Sequence, residues 1–169
     1  MALIHETGAG LSNAEAYCTL AFADAWHLGR GITLWATMLE VEREQAIRRA
    51  TDYMVQVYRF RWAGLRKSTT QALDWPRLDV PCLDTPGGFY ASDIIPVEVQ
   101  RACAELAFKA ASGDLAPDVG RVAIREKIDV IEVEYAAGAV PWVRYRAIDT
   151  MLAPMFSPSA GSGISLVRC

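Results

Sequence analysis

Residues 40–58 read EVEREQAIRRATDYMVQVY, the longest helical pattern in the chain. Ile47, Ala50, Met54, Val57 and Tyr58 recur at the spacing that gathers them on one side of an α-helix. Glu42, Arg43, Arg49, Asp52 and Gln56 fall on the other, wet side. A helix with one apolar stripe has to bury that stripe against something. The rest of the chain supplies it mainly with other helices.

Downstream, Pro96 suits the first turn of a helix, and Val99, Ala102, Cys103, Leu106, Ala107 and Ala110 make its stripe. Gly113 ends it, and the small residues allow another helix to approach closely. Upstream, the first dozen residues look extended. Ser12-Asn13-Ala14-Glu15 then has the form of a capping box, with Ala14, Tyr17, Cys18, Ala21, Ala25 and Leu28 as the stripe that follows. Gly29 and Gly31 stop this helix, and a short turn spans Leu34 to Met38. A last helix, Ala147 to Phe156, places Ile148, Met151, Leu152 and Met155 together.

At residues 122–135 the period changes from 3.6 to 2. A hairpin turning at Asp129-Val130 pairs Lys127 with Glu132, Arg125 with Glu134, Ile128 with Ile131 and Ile124 with Tyr135. Opposite charges then share one face and apolar pairs the other, as a stable two-stranded ladder requires. The expected fold is therefore mainly α. It is a small bundle of three main helices plus a short C-terminal helix, with a β-hairpin and extended termini.

Between the helices lies a long irregular connection, residues 59–95, punctuated by Gly64, Pro76, Pro81, Pro86, Gly87 and Gly88. Loops of this length in compact domains are usually functional or held by a partner. Trp62 and Trp75 are expected to pin it to the core. Residues 1–156 read as one domain, which suits a chain of 169 residues that is 52% hydrophobic and 22% charged. Residues 157–169, SPSAGSGISLVRC, read as a docking tail in which Ile164, Leu166 and Val167 alternate and can lie on, or add a strand to, a neighbour.

Several function classes are disfavoured by what the chain lacks. No apolar run approaches the roughly 20 residues that span a bilayer. The N-terminus MALIHETGAG has neither the basic start nor the apolar stretch of a secretory signal, so a cytoplasmic setting is expected. Cys18, Cys82, Cys103 and Cys169 form no CxxC, and no disulfide framework is expected. His5 and His27 stand in no metal-ligand spacing, so neither a metal nor another cofactor is expected. No serine sits in a GxSxG elbow, and Gly8-Ala9-Gly10 continues into neither GxGxxG nor GxxxxGK[ST]. Glu132 and Glu134 share a strand face, as a catalytic pair would, but Lys127 and Arg125 opposite them are a sufficient structural reason. The expectation is a protein that is not an enzyme.

Charge is unevenly spread. The net charge is −3, yet residues 43–67 carry seven Lys/Arg against two Asp/Glu. A basic segment in an acidic protein suits a charged partner surface, a nucleic-acid backbone among them; a solvated helix face is the plainer alternative. Within it, Arg59-Phe60-Arg61-Trp62 interleaves arginines with aromatics, as base stacking and phosphate contact require, and Arg66 and Lys67 continue the charge. The same four residues also suit a packed tryptophan with snorkelling arginines.

Taken together, AYCTLAFADAWHLGRG, EREQAIRRATDYM, YRFRWAGLRKSTTQALDWPR, IPVEVQRACAELAFKAASGDLAP, EKIDVIEVEYAAGA and AIDTMLAPMF give a chain that resembles tailed-bacteriophage head–tail connector proteins, also called adaptor or head-completion proteins. The resemblance runs from Ala16 to Phe156; RATDYM, QALDWPR at 71–77 and Ile95-Pro96 carry most of it. Relatives are sometimes labelled single-strand DNA-binding proteins. The resemblance implies a structural virion protein at the neck, assembled in the host bacterial cytoplasm. It implies a ring, usually of twelve copies, under the portal, which extends the channel for double-stranded DNA and receives the next connector or tail-terminator protein. It carries no catalytic residues. Closed rings need two different faces per subunit. The tail residues Ile164, Leu166, Val167 and Arg168 are candidates for portal docking. Leu83, Phe89, Tyr90, Arg125, Lys127, Glu132 and Glu134 are candidates for contacts with neighbours. Arg59, Arg61, Arg66 and Lys67 are candidates for lining the channel or touching DNA. A single-stranded DNA-binding module is the alternative function.

Overall fold

In the computed structural model the protein is described over residues 2–117 and 144–158, together with the backbone of 125–128 and 131–134. Its centre is a pair of helices, α3 (Glu40–Tyr58) and α4 (Val97–Ser112), which make the most extensive contact between elements. α3 keeps the bounds its periodicity predicts. Its N-terminus is closed by the Glu42 carboxylate, which accepts the Leu39 N–H at 3.0 Å. Ala46, Ile47, Ala50, Met54 and Tyr58 are buried, and so is Thr51, whose hydroxyl donates to the Ile47 carbonyl at 3.0 Å. Val57 departs from expectation. It is 40% exposed, although it shares the predicted stripe with Met54 and Tyr58.

Every predicted stripe residue of α4 is buried: Val99, Ala102, Cys103, Leu106, Ala107 and Ala110. Three alanines in this row let α3 approach closely, and the neighbouring Cys103 thiol lies 3.4 Å from Thr51 Oγ1. Pro96 is the N-cap. α5 (Arg146–Leu152) packs on α4 and passes into a 3-10 turn, Ala153–Met155, where Pro154 cannot continue the α-helical hydrogen bonding. Ile148, Leu152 and Met155 are buried there.

The first helix corrects the sequence reading. α1 spans only Leu20–Leu28, and Thr19 is its cap, accepting the Phe22 N–H at 3.0 Å. Ser12 and Glu15 form no capping box. Glu15 is drawn instead to Arg48 at 3.1 Å and to the Ile4 N–H at 3.4 Å. The backbone of 4–6 meets that of 15–16, so Ala14, Tyr17 and Cys18 are buried in the non-helical segment before α1 rather than on a helix. The expected stripe of α1 is also turned outward: Ala21, Ala25 and Leu28 are exposed, and Ala23 and His27 face inward. A histidine at the core side explains the reversal. His27 Nε2 lies 3.0 Å from the Ala104 carbonyl, and its ring packs on Trp35 and Phe108. Hydropathy alone scores that position as polar. Trp35 belongs to α2 (Thr33–Thr37) and is buried.

Residues 59–95 are irregular but not loose. Two short antiparallel ladders hold them: β1 (Leu65–Arg66) with β2 (Arg77–Leu78), and β3 (Pro81–Cys82) with β4 (Gly88–Phe89). Trp62 and Trp75 are buried and meet edge to face at 5.6 Å, so they pin the loop as expected. The last strands, β5 (Arg125–Ile128) and β6 (Ile131–Glu134), pair antiparallel in the predicted register: Arg125 opposite Glu134, Lys127 opposite Glu132, Ile128 opposite Ile131. The Ile124–Tyr135 pair lies outside the described residues.

Candidate functional site

Where α3 ends, the chain alternates inward and outward. Arg59 is the C-cap, Phe60 points away, Arg61 lies flat, and Trp62 turns in. Trp62 is buried among Tyr58, Trp75 and Phe156, with ring centroids 5.9, 5.6 and 5.1 Å away. Phe60 is 92% exposed, the most exposed large apolar side chain among the described residues. Hydrophobic packing accounts for Trp62 and not for Phe60, which no interior contact holds in place. Val57 and Leu65 are also exposed at this end of α3.

The arginines on either side of Phe60 are anchored. Arg59 Nε donates to Asp74 Oδ1 at 2.9 Å, and Asp74 is fully buried. Burial pushes the Asp74 carboxyl above the usual carboxylate range, and the Arg59 charge beside it pulls the other way. The Asp74 backbone N–H donates to the Tyr17 hydroxyl at 3.0 Å. Arg61 donates to Asp149 at 3.0 Å, and its guanidinium lies 4.1 Å from the Phe156 ring centroid. These two guanidinium groups are thus held in fixed places, each partly neutralised by one carboxylate.

The other two predicted cations serve the loop. Arg66 donates to the Gln71 carbonyl, and Lys67 Nζ donates to the Gly8 carbonyl at 3.0 Å. Beside them, Arg77 is buried and donates to the carbonyls of Ala63, Gly64 and Asp74. Burial lowers its pKa, and the Asp74 charge opposes that.

The predicted neighbour contacts divide. Leu83 is 73% and Phe89 63% exposed, at the β3–β4 turn. Tyr90 is half-buried, its ring edge on to Trp75, and its hydroxyl is pushed up to about 12, first by burial and then by Glu98. Leu83 and Tyr90 line an open cavity of about 550 Å³ with Asp84, Glu98 and Pro154. Arg125, Lys127, Glu132 and Glu134 are placed by backbone register alone. Ile164, Leu166, Val167 and Arg168 lie outside the described residues.

Two features escaped the sequence. The Gly8-Ala9-Gly10 turn surrounds an anion, but that anion is the buried carboxylate of Glu6. It accepts the N–H groups of Gly8, Gly10 and Leu11 at 3.0, 2.9 and 2.8 Å. Gly8 has φ +98°, and a Cβ there would meet the Asp93 carbonyl, so only glycine fits. The second feature is the outer face of α1, where Phe22 and Trp26 lie parallel with Arg30 over the indole. An aromatic at i and i+4 with Arg at i+8 was a signal available in the sequence.

Compared with known families, residues 1–169 match the model of the family described as "Putative DnaT-like ssDNA binding protein". No curated protein and no solved structure matches the chain.

Proposed function

The chain belongs to this DnaT-like family, and from that premise we propose that it binds single-stranded DNA, with Phe60 as a base-stacking group between Arg59 and Arg61. The observation that carries the reading is the 92% exposure of Phe60 between two anchored guanidinium groups. Stacking tolerates every base because each has a π-face, and it needs an aromatic ring that stands free of the core. Because Asp74 and Asp149 offset much of the local charge, stacking rather than phosphate attraction dominates this contact. The test is titration of the purified chain with a labelled oligonucleotide at two salt concentrations. Binding that is lost with Phe60→Ala supports the reading. No binding at low salt by the unaltered protein refutes it.

A second reading keeps the structural role that the sequence resemblance implies: a connector ring at the phage neck, between portal and tail. It is supported by apolar side chains left open at two separate places: Leu28, Leu34, Leu39 and Val41 around α2, and Leu83, Phe89, Ile94 and Val97 beside β4 and α4. Two unlike patches on one subunit are what head-to-tail contact uses. Mass measurement of the purified protein checks it. A species that stays at 18.6 kDa at every concentration and in the presence of portal protein rules it out.

A further inference from the structure

Trp26 is half-buried on the outer face of α1, and its orientation is fixed. The indole Nε1 donates to Glu105 Oε1 at 2.8 Å across to α4. Phe22, one turn earlier, is parallel to it within 8°, with centroids 6.4 Å apart. The Arg30 guanidinium lies over the indole and is tied by a 3.0 Å hydrogen bond to the Trp26 carbonyl. Arg101, from α4, brings a second guanidinium to 5.3 Å from the same ring. The Arg30 side chain is 42% exposed, so its plane is open to solvent.

The charge here is unbalanced. Glu105 stands 3.9 Å from Arg30 and is the one carboxylate within ion-pair distance of it among the described residues. Asp24, the nearest acid on α1, is held by Arg43 at 2.7 Å and by the Trp35 indole at 2.7 Å. Arg101 has no carboxylate within ion-pair distance among the described residues, which leaves two cations against one anion around the Trp26 indole. A structural role explains the Trp26–Glu105 hydrogen bond. It leaves Arg101 and the outer plane of Arg30 without a task.

We propose that this face, Phe22 and Trp26 with Arg30 and Arg101, is a second nucleotide-binding surface, separate from Phe60, that takes one or two nucleotides of single-stranded DNA. It rests on the single-strand reading above. A base stacks on the planar Arg30–indole layer, as bases do on guanidinium groups and aromatics, and the flanking phosphates meet Arg101 and the remaining N–H groups of Arg30. Unlike Phe60, this contact is driven by phosphate charge, so the two surfaces differ in how salt affects them.

The experiment uses the full chain and a fluorescently labelled oligo-dT, with anisotropy followed over a salt series. In the Arg30→Gln/Arg101→Gln double variant, affinity at low salt is expected to fall by about tenfold or more, and the slope of log K against log salt to flatten by about 1.4, for two lost phosphate contacts. Arg30→Lys keeps the charge and removes the plane, so it weakens binding while leaving the slope in place. Circular dichroism and thermal melting show that the variants remain folded. Unchanged affinity and slope in a folded double variant, with normal binding by the unaltered protein, overturns this surface and leaves the Phe60 reading standing. Absence of binding by the unaltered protein overturns both. Loss of binding without any change of slope overturns the phosphate contacts.

Discussion

Arg59 Nε sits 2.9 Å from Oδ1 of the fully buried Asp74, while Oδ2 of that carboxylate has no partner among the described residues. The sequence suggested Arg59 as a DNA contact, yet its first task is to neutralise an interior charge. Replacing Arg59 by alanine leaves that carboxylate underserved, and an unfolding loss of about 1–3 kcal/mol is expected. Urea denaturation measures it. Asp74→Asn alongside Arg59→Ala recovers part of the loss, because the uncharged amide no longer needs the arginine.

Phe60→Ala behaves in the opposite way. The side chain is almost wholly in solvent, so stability changes by no more than about 0.5 kcal/mol. Oligonucleotide affinity falls by about 1–3 kcal/mol, the worth of one stacked base. Melting temperature and anisotropy on the same preparation separate the two effects. A binding loss in Arg59→Ala is interpretable only beside its stability, whereas one in Phe60→Ala is direct.

Glu6 holds the turn of residues 8–11 in shape. Glu6→Ala leaves the N–H groups of Gly8, Gly10 and Leu11 without their acceptor, in a partly buried site. Destabilisation of at least about 2 kcal/mol is expected. Hydrogen exchange of those three amides should quicken before global unfolding. Slow exchange in the variant contradicts this account.

His27 makes stability pH-dependent. Burial holds its pKa below the ordinary histidine value, opposed first by the hydrogen bond to the Ala104 carbonyl and then by the charges of Glu105 and Asp24, while Arg30 lowers it further. In the unfolded chain it titrates near about 6.5. As pH falls through that value the unfolded state takes up a proton that the folded state resists. Stability from this group is therefore full above about 6.5 and declines below it. Comparing denaturation midpoints at pH 7.5 and 5.5 tests this, since most carboxylates remain ionised across that range. The decline should shrink in His27→Phe.

The apolar surface around α2 supplies a test of self-association. Leu28, Leu34 and Leu39 are each more than 60% exposed. If they meet another copy, Leu34→Glu lowers the mass seen by light scattering at high concentration and leaves the melting temperature nearly unchanged. Equal masses for both proteins at all concentrations argue against that contact.

Periodicity and local chemistry settled a great deal here. The bounds of α3, the whole buried stripe of α4 and the register of β5 on β6 were all legible in the sequence. In the two helices a regular spacing of apolar residues meets no competing polar demand, and in the β-hairpin the alternation alone fixes the backbone register. The pinning of the long loop by Trp62 and Trp75 was legible for the same reason. What the sequence could not decide was which of several possible partners a polar group takes. Glu15 had the spacing of a capping residue and went to Arg48. His27 was left out of the predicted apolar stripe and became part of the core by donating to the Ala104 carbonyl. Arg59 and Phe60 are neighbours of similar promise in a basic aromatic motif. Only the tertiary structure shows that one turns to a buried carboxylate and the other to solvent. Those choices depend on groups 15 to 77 residues away in the chain. The free energy of burying or pairing a charge is set by the assembled surroundings, and no local pattern carries that information.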